Sequence, residues 1–231
     1  MKQETIEKTR KLVKDNYAAI ATDFDISRQK EIWPEIRRYV SLIPPGARVL
    51  DAGCGNGRLL AAVVDTQIDY LGIDSSNELV ALARKNYSGF DFRTMDILDL
   101  SGLPDGYYDF IFCLAVIPHL PGSDLRIRAL QNLFSKLKAD GQIIISAWDL
   151  YGYPKFRPLL RKAAWAKLFG LSPLDYGDLI FPWKNVQGQI ISERYYHAFK
   201  KKELIRLCKL AGLKIKHLAK QGGNYWLVVF K

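Results

Sequence analysis

The feature that most constrains this chain is a glycine-rich segment, VLDAGCGNG, at residues 49–57. An apolar run leads into it and a helical pattern follows from about Arg58, so the segment predicts a buried strand, a tight turn and a helix. Glycine permits both the turn and a close approach of backbone to a ligand. The spacing therefore predicts a ligand site at the carboxyl end of a strand in an open α/β sheet, although a plain strand-to-helix turn is the alternative.

Strands and helices continue to alternate along the chain. Four further apolar runs predict strands, namely IDYLGID, FDFRTMD, YYDFIFCLAVI and QIIISAWDL. Helices are expected between them, one with Ser76 as its N-cap and another that stops at Gly141. A helix over 201–211 and two strands on either side of Gly222–Gly223 complete the pattern. The predicted fold is α/β, with a doubly wound, mostly parallel seven-stranded sheet and an antiparallel C-terminal edge hairpin.

We predict one domain over residues 1–231, built from four parts. These parts are an N-terminal helical cap (1–42), a cofactor-binding core (43–150), a substrate-side insertion (151–199) and a C-terminal helix with a hairpin (200–231). The cap should contain two polar-faced helices with a break near Thr22–Ser27. No internal repeat or low-complexity linker divides the chain.

The insertion is distinguished by aromatic side chains among basic ones. Residues 151–199 hold seven Lys and Arg residues, and the aromatic residues include Trp165, Phe169, Phe181 and Trp183. Such a mixture suits a cover over nucleic acid, where rings stack on bases and cations meet phosphates. A hydrophobic lid over a small lipophilic substrate has a similar composition, so both interpretations stay open.

Positive charge is concentrated in the last third of the chain. Residues 151–231 contain 16 of the 34 basic side chains but only 4 of the 24 acidic ones, a net charge of +12. A basic surface of this kind attracts polyanions, of which nucleic acid is the first to consider. The alternative is a surface that serves solubility alone.

The cysteines and the N-terminus indicate a reducing location. Cys54, Cys113 and Cys208 are widely spaced and form no metal-ligand pattern with the three histidines, so neither a disulfide framework nor a metal site is expected. The N-terminus is polar and unlike a signal peptide, and no apolar run approaches the length of a membrane span. We therefore expect a cytoplasmic protein without a membrane partner.

Acidic residues near the strand ends indicate the class of ligand. A dinucleotide fingerprint would need glycine where Arg58 stands, and Asp51 would repel a pyrophosphate but suit an amino group. Asp74 can accept from two ribose hydroxyls, or can cap the helix that follows. Asp96 can accept from an adenine amino group, with the Ile97 N–H as a donor beside it. These features favour S-adenosylmethionine over NAD.

Leu114 and Ala115, at the end of the fourth predicted strand, should form the floor beneath the methionine part of this cofactor or simply belong to the core. The expected cofactor contacts are Asp51, Gly53, Gly55, Asn56, Gly57, Asp74, Ser75, Asp96, Ile97, Leu114 and Ala115. Together, VLDAGCGNG, GIDSS and TMDI resemble the successive motifs of the class I methyltransferases over residues 45–148. The resemblance implies the fold of that family and S-adenosyl-L-methionine as the cofactor.

Three further stretches resemble a narrower family. They are YAAIATDFDISRQKEIWP at 17–34, LAVIPHL at 114–120, and RYYHAFKKKELIRLCKLAGL at 194–213 with GNYW after it. Together they are similar to the tRNA methyltransferases that esterify 5-carboxymethyluridine at the wobble position. The resemblance implies a tRNA anticodon loop as substrate and, from the eukaryotic members, a small zinc-binding activator subunit as a further partner. Pro118–His119 replaces two adjacent histidines of that family, which also allows a related uridine such as a carboxymethoxy one.

Methylation of a carboxylate needs orientation more than a base, because the acceptor is already ionised at neutral pH. Arg28 and Arg194 are the candidates for a cationic clamp, since guanidinium binds carboxylate in a planar fork. His119, just past the fourth strand, is expected to donate a hydrogen bond that orients the substrate. The alternatives are a surface ion pair for each arginine and a local structural role for the histidine.

The RNA side of the site is predicted from the same stretches. Tyr195, Tyr196 and His197 could stack on or hydrogen-bond an unpaired anticodon base, with one tyrosine inward and one toward substrate, or could be core residues. Lys200, Lys201 and Lys202 would meet phosphates or form a solvated helix start. Tyr17 and Asn224 lie in stretches that carry the resemblance. A small-molecule methyltransferase with an aromatic lid and a non-catalytic RNA-binding subunit remain the competing hypotheses.

Overall fold

We describe the computed structural model of the chain, which covers residues 1–28, 32–63, 66–185 and 187–231. The helices are α1 (Gln3–Arg28), α2 (Pro34–Val40), α3 (Leu60–Val63), α4 (Asn77–Asn86), α5 (Ser123–Lys136), α6 (Arg157–Leu168) and α7 (Lys201–Leu210). The strands are β1 (Arg48–Ala52), β2 (Asp69–Asp74), β3 (Asp91–Thr94), β4 (Tyr108–Leu114), β5 (Leu137–Trp148), β6 (Asp178–Lys184), β7 (Ile190–His197), β8 (Lys214–Gln221) and β9 (Asn224–Phe230). Short 3-10 turns occupy Ile117–His119, Leu150–Gly152 and Pro154–Phe156.

Seven strands form one sheet in the order β3-β2-β1-β4-β5-β9-β8. The five strands from β3 to β5 are parallel, whereas β9 pairs antiparallel with both β5 and β8. This confirms the predicted sheet and its C-terminal hairpin. The direction of winding reverses between β1 and β4, and a crevice opens at that point outside the carboxyl ends of parallel strands.

Apolar side chains on the two faces of the sheet build two cores. On one face Val49 and Phe112 pack in a cluster with Leu60 of α3 and Trp226 of β9. On the other face the neighbouring strand residues pack with α5 and α7; among them are Leu50, Ile111, Leu130 and Leu207. Because both faces are covered, the central strands are nearly continuous apolar runs, which is why the sequence revealed them.

The insertion contains structure that the sequence did not predict. Strands β6 and β7 form a separate antiparallel pair, and α6 packs with them around a third apolar cluster that includes Leu160 and Leu179. The strands were missed because β6 contains Pro182 and β7 begins with exposed residues, so neither shows a clean alternation. Treatment of residues 1–231 as one domain stays a prediction.

Two predicted boundaries were wrong. Helix α1 runs without a break through Thr22–Ser27, because this stretch has no proline or glycine and Asp25 accepts hydrogen bonds from the side chains of Asn56 and Asn86. Helix α5 ends at Lys136 and β5 begins at the next residue, so Gly141 lies within a strand rather than at a helix stop. A Cβ there would lie 2.9 Å from the Asp109 carbonyl oxygen, which explains the glycine.

Within the described residues no helix is long and apolar enough to cross a membrane. The same residues contain no group of three or more acidic, histidine or cysteine side chains arranged to hold a metal ion. All three cysteines are free and buried.

Candidate active site

A cavity of about 840 Å³ lies at the carboxyl ends of β1, β2, β3 and β4. Helix α1 lies along one side of it, and β6 and β7 contribute to another. Most of the predicted site residues are brought together here. Those that line the cavity are Tyr17, Arg28, Asp51, Gly53, Gly55, Asn56, Asp74, Ser75, Asp96, Ile97, Leu114, Ala115, His119, Arg194, Tyr196 and Asn224.

The glycine-rich turn after β1 forms a close-fitting cradle. Gly53 has a φ of +83°, and a Cβ at this position would lie 2.2 Å from a methyl carbon of Val116. The N–H groups of Gly53 and Cys54 both donate to the carbonyl of Ile73 in β2, which fixes the turn against the neighbouring strand. Gly57 is a correction to the prediction: it does not line the cavity but packs against aromatic rings, where a Cβ would lie 2.9 Å from Tyr87.

Asp51 is a carboxyl group buried in the cavity wall. It accepts a hydrogen bond of 2.9 Å from the hydroxyl of Tyr70, and burial raises its pKa to about 7. A buried carboxylate with a raised pKa is stabilised when a cation binds beside it. The position therefore suits the amino group of an amino-acid ligand.

Asp74 is held in place by backbone donors, and Ser76 takes the helix-capping role that was the alternative prediction for Asp74. One oxygen accepts from the N–H of Gly55 at 3.0 Å and the other from the N–H of Ser76 at 2.9 Å, while Ser76 itself caps α4 by accepting from Leu79. Burial raises the pKa of Asp74, against the effect of these hydrogen bonds. Each oxygen keeps a lone pair for a further donor such as a ribose hydroxyl.

Asp96 has an unanticipated partner. Its Oδ1 accepts from the N–H of Leu98 at 2.9 Å, and its Oδ2 pairs with Arg10 of α1 at 2.8 Å. Lys11 and Lys14 also line the cavity from this helix. Sequence reasoning missed these α1 residues because they belong to a long polar helix with no motif.

The end of β4 has unusual backbone geometry. Ala115 has a φ of +58°, a region that non-glycine residues rarely adopt, and its N–H donates to the carbonyl and hydroxyl oxygens of Ser146. Leu114 precedes it and also faces the cavity. Such strain is retained where the surrounding structure fixes it, often beside a ligand.

His119 is held on both ring nitrogens. Its Nδ1 lies 3.0 Å from the carbonyl oxygen of Tyr195, which can only accept, so Nδ1 carries the proton. Nε2 then accepts from the hydroxyl of Tyr17 at 2.8 Å. Burial lowers the pKa of His119 to about 3, with a further contribution from the charge of Arg194. The imidazole is therefore neutral and orients Tyr17, whereas the sequence analysis expected it to donate directly to a substrate.

Arg28 and Arg194 reach the same cavity from different elements. Burial lowers the pKa of Arg28, and the nearby charge of Arg194 lowers it further, but guanidinium stays protonated at neutral pH. Each guanidinium lies over a ring, Arg28 at 4.8 Å from the centroid of Phe24 and Arg194 at 5.3 Å from that of Phe181. Within the described chain neither arginine has an acidic partner within salt-bridge distance. Two like charges without a counterion favour an anionic ligand.

The residues around Arg194 form a buried network instead of a base-stacking surface. Asp178 accepts from Tyr195 at 2.8 Å and pairs with Nδ1 of His197 at 2.6 Å, and Nε2 of His197 lies 2.7 Å from Glu203. The guanidinium of Arg126 completes the network. Burial is the largest single effect and raises the pKa of Asp178, but the hydrogen bonds from His197 and Tyr195 and the charges of His197 and Arg126 together outweigh it, so the pKa is lowered.

Tyr195 and His197 therefore cannot stack on a base, which corrects the prediction for His197, whereas a buried Tyr195 beside a cavity-lining Tyr196 agrees with the expectation of one inward tyrosine. The side chains of Tyr195 and His197 are enclosed and fully bonded, so they set the position of β7, from which Arg194 extends. Tyr196 does line the cavity, but its hydroxyl accepts from the N–H of Trp148 and its ring is buried. Asn224 is buried at the cavity edge and donates to the carbonyl of Gly222.

Lys200, Lys201 and Lys202 lie outside the cavity. All three are exposed at the start of α7, and the ammonium group of Lys200 lies 5.4 Å from the ring centroid of Tyr151. Their predicted contact with phosphates stays a prediction.

An aromatic wall borders the cavity, and sequence reasoning anticipated it only in part, as the aromatic composition of the insertion. It consists of Trp148, Tyr153 and Trp183, with Lys184 beside them. Trp148 packs edge-to-face against Tyr153 at 5.4 Å between ring centroids. The aromatic composition of the insertion was a signal, but the pairing of β6 with β7 that brings Trp183 to the cavity was not visible.

The fold and this site define a class I S-adenosylmethionine-dependent methyltransferase. The strand order, the glycine cradle and the acidic residues at successive strand ends fit that cofactor, whose amino, ribose and adenine groups need acceptors of this kind. A family model described as a methyltransferase domain matches residues 24–218. The chain therefore belongs to the methyltransferase domain family, and S-adenosyl-L-methionine is its cofactor.

Individual proteins and solved structures are also similar to this chain. A tRNA (carboxymethyluridine(34)-5-O)-methyltransferase from Saccharomyces cerevisiae is 25% identical, with 99% of this chain and 98% of that protein covered. The protein of the same description from Schizosaccharomyces pombe is 27% identical, with 98% and 99% covered. Among solved structures, an S-adenosylmethionine-dependent methyltransferase from Methanosarcina mazei shares the fold with a TM-score of 0.68 at 20% identity, covering 87% of this chain and 99% of that one.

Proposed function

We propose that this enzyme methylates the carboxylate of a carboxymethyl-type uridine at the wobble position of tRNA. The observation that carries the proposal is the pair of arginines, Arg28 and Arg194, which line the same cavity and have no acidic partner within salt-bridge distance among the described residues. A planar carboxylate accepts hydrogen bonds from guanidinium groups in defined directions, so two of them can fix one oxygen for reaction.

The proposed cofactor contacts follow the strand ends. Asp51 accepts from the amino group, Asp74 from the ribose hydroxyls, and Asp96 with the Ile97 N–H binds the adenine. Gly53, Gly55, Asn56 and Ser75 complete the cradle, and Leu114 and Ala115 lie beneath the methionine part. Binding in this position leaves the arginine side of the cavity for the acceptor.

The chemistry needs no proton transfer. When bound, the cofactor would supply a methyl group on a sulfonium, with the thioether as the leaving group, and an ionised carboxylate oxygen would accept that methyl group without help from a base. His119 is neutral and both its nitrogens are engaged, so it holds the Tyr17 hydroxyl in place instead of acting as a base. A phenol or alcohol acceptor would require a base near the reacting oxygen. These features favour a carboxylate over such acceptors.

A tRNA substrate is supported by similarity and charge. Both fungal tRNA methyltransferases align over almost their full length, and the last third of this chain carries a net charge of +12. We propose that Lys200, Lys201 and Lys202 contact phosphates of the anticodon arm, while Tyr196 and Asn224 border the modified base. A cytoplasmic location and an activator subunit are further parts of the proposal, by analogy with such enzymes.

The direct test uses purified protein, labelled S-adenosylmethionine and total tRNA in which carboxymethyluridine is intact. The RNA is digested and the labelled nucleoside is identified by mass. We expect a base-labile methyl ester on the wobble uridine. A parallel reaction with a lysate that lacks this protein supplies any activator subunit, so that an inactive isolated chain does not obscure the result. Label in a metabolite acid, and none in RNA, would support the small-molecule alternative.

Substitution of the clamp tests its role. Arg28→Ala and Arg194→Ala should each lower kcat/KM for tRNA by at least about a hundredfold, because a charged hydrogen bond of about 3 kcal/mol is lost. Cofactor affinity, measured by calorimetry, should stay within about twofold. Arg38→Ala, on the exposed part of α2, is the matched control and should behave as wild type. Equal activity in all three variants would remove the basis for the clamp.

A further inference from the structure

Helix α6 presents an exposed stripe that mixes cations with large apolar side chains. The α6 stripe consists of Arg161, Lys162, Trp165, Leu168 and Phe169, which recur every three or four residues and therefore share one face. Trp165, Leu168 and Phe169 are 59%, 63% and 65% exposed. The opposite face of the helix buries Leu160 in the third apolar cluster, so the stripe is not needed to hold α6 in place.

In the sequence around the α6 stripe, the charged side chains are all basic. Residues 150–174 contain five basic side chains and no acidic one. The rings of Trp165 and Phe169 are stacked, with 5.5 Å between centroids and 12° between planes. Because both rings are highly exposed, the outer faces of the stacked pair are open to solvent, and Arg161 and Lys162 lie on the same face of the helix. This is the combination that binds unpaired bases and phosphates together.

The stripe lies apart from the active site. None of its five residues lines the cavity, and α6 begins four residues after Tyr153 of the cavity wall. Its 12 residues extend roughly 18 Å at the rise of an α-helix. A small substrate enclosed by the cavity cannot contact both places, whereas a nucleic acid can.

We propose that the α6 stripe is a second RNA-contact surface, which binds the tRNA substrate outside the modified nucleotide; this rests on the proposed function. Arg161 and Lys162 meet backbone phosphates, and Trp165 and Phe169 stack on an unpaired base. Interfacial membrane helices separate a charged face from an apolar face, but here the cations precede the rings within the same stripe. The net positive charge also favours a polyanion over a second copy of this equally basic chain.

The test compares two double variants, Trp165→Ala with Phe169→Ala and Arg161→Gln with Lys162→Gln, with two exposed controls on other helices, Leu210→Ala and Arg128→Gln. Affinity for dye-labelled tRNA is measured by fluorescence anisotropy over a range of salt concentrations. The aromatic variant should bind tRNA about tenfold more weakly or worse. The cation variant should also reduce the slope of log Kd against log salt by about one to two. Both controls should match wild type.

Turnover of the free nucleoside 5-carboxymethyluridine separates this inference from the proposed function. It should be unchanged in every variant, because the nucleoside reaches only the cavity, whereas KM for tRNA should rise in the two stripe variants. Wild-type tRNA affinity in the aromatic variant would overturn the stripe even if wild-type protein forms the ester. Two further results would overturn the inference. In one, the stripe variants bind phosphatidylglycerol vesicles more weakly than wild type but bind tRNA normally. In the other, they lose self-association in sedimentation but bind tRNA normally. If the stripe variants bind tRNA more weakly but the wild-type protein forms no ester, the stripe is supported as an RNA-contact surface and the proposed reaction is rejected.

Discussion

At the scale of single residues, the site is organised by one buried carboxyl group and two half-buried guanidinium groups, none of which forms an ion pair within the described residues. Asp51 is a carboxyl group raised to a pKa of about 7 by burial, and Arg28 and Arg194 are cations without acidic partners in the described parts of the chain. Such groups destabilise a fold unless a ligand compensates them. The two kinds of charge lie in one cavity, and the proposed function pairs the negative one with the amino group of the cofactor and the positive pair with the acceptor.

The raised pKa of Asp51 makes cofactor binding depend on pH. Below about pH 7 the carboxyl is protonated in the free enzyme, so it must lose a proton before it can pair with the amino group. Affinity for S-adenosylmethionine should therefore rise between pH 5.5 and 7, by up to about tenfold per unit at the acid end. Calorimetry at several pH values measures this directly.

Asp51→Asn is the control for that pH dependence. The amide cannot ionise, so this variant should bind the cofactor more weakly at pH 8 and lose most of the slope between pH 5.5 and 7. The same slope in Asp51→Asn as in wild type would show that another group titrates, and the assignment of Asp51 to the amino group would be wrong.

At the scale of structural elements, the turn after β1 and the strand β7 do most to shape the cavity. The turn brings backbone close to Val116 through a glycine that no other residue can replace without a clash. Strand β7 carries Arg194 to the cavity while its neighbours Tyr195 and His197 anchor it to Asp178. In the proposed function, the turn serves the cofactor side and β7 the acceptor side.

Two glycines have nearly equal backbone angles but different surroundings, so a comparison of their alanine variants distinguishes a steric clash from backbone strain. Gly53 and Gly46 have φ values of +83° and +79°, but only Gly53 would bring a Cβ into contact with another residue. Gly46→Ala should cost about 1 kcal/mol of unfolding free energy and leave cofactor affinity unchanged. Gly53→Ala should cost more, because Val116 must move, and should weaken cofactor binding by at least about tenfold. Denaturant unfolding and calorimetry give both quantities, and equal behaviour of the two variants would contradict the cradle.

Sequence and structure agree best where one local pattern determines an element. The turn at 49–57 and the central strands were predictable because buried parallel strands are apolar throughout and their glycines mark the ligand edge. The roles of Tyr195 and His197 were not predictable, because they depend on Asp178 and Arg126, which are distant in sequence. The uninterrupted course of α1 was missed for a similar reason, since contacts of Asp25 with two other elements stabilise it.

At the scale of the whole molecule, the side of the cavity proposed for the cofactor and the excess of positive charge come from different parts of the chain. The residues proposed to bind the cofactor come mainly from the ends of the parallel strands. The net positive charge comes from residues 151–231, and the aromatic wall combines Tyr153 and Trp183 of the insertion with Trp148 of β5. Under the proposed function, this division would let a standard cofactor site act on a large anionic substrate. It also explains why the family motifs predicted the cofactor side more completely than the substrate side.

The most direct test of the central claim compares two tRNAs that differ only in the wobble side chain, one with a carboxymethyl group and one with its neutral carbamoylmethyl counterpart. Methyl transfer from labelled cofactor is followed by mass and by alkaline release, with the lysate described above present in a parallel series. We predict a base-labile ester on the acid tRNA alone, and its loss in Arg28→Ala and Arg194→Ala. Transfer to the amide tRNA at a comparable rate, or to neither tRNA while the cofactor binds normally, would contradict the carboxylate clamp.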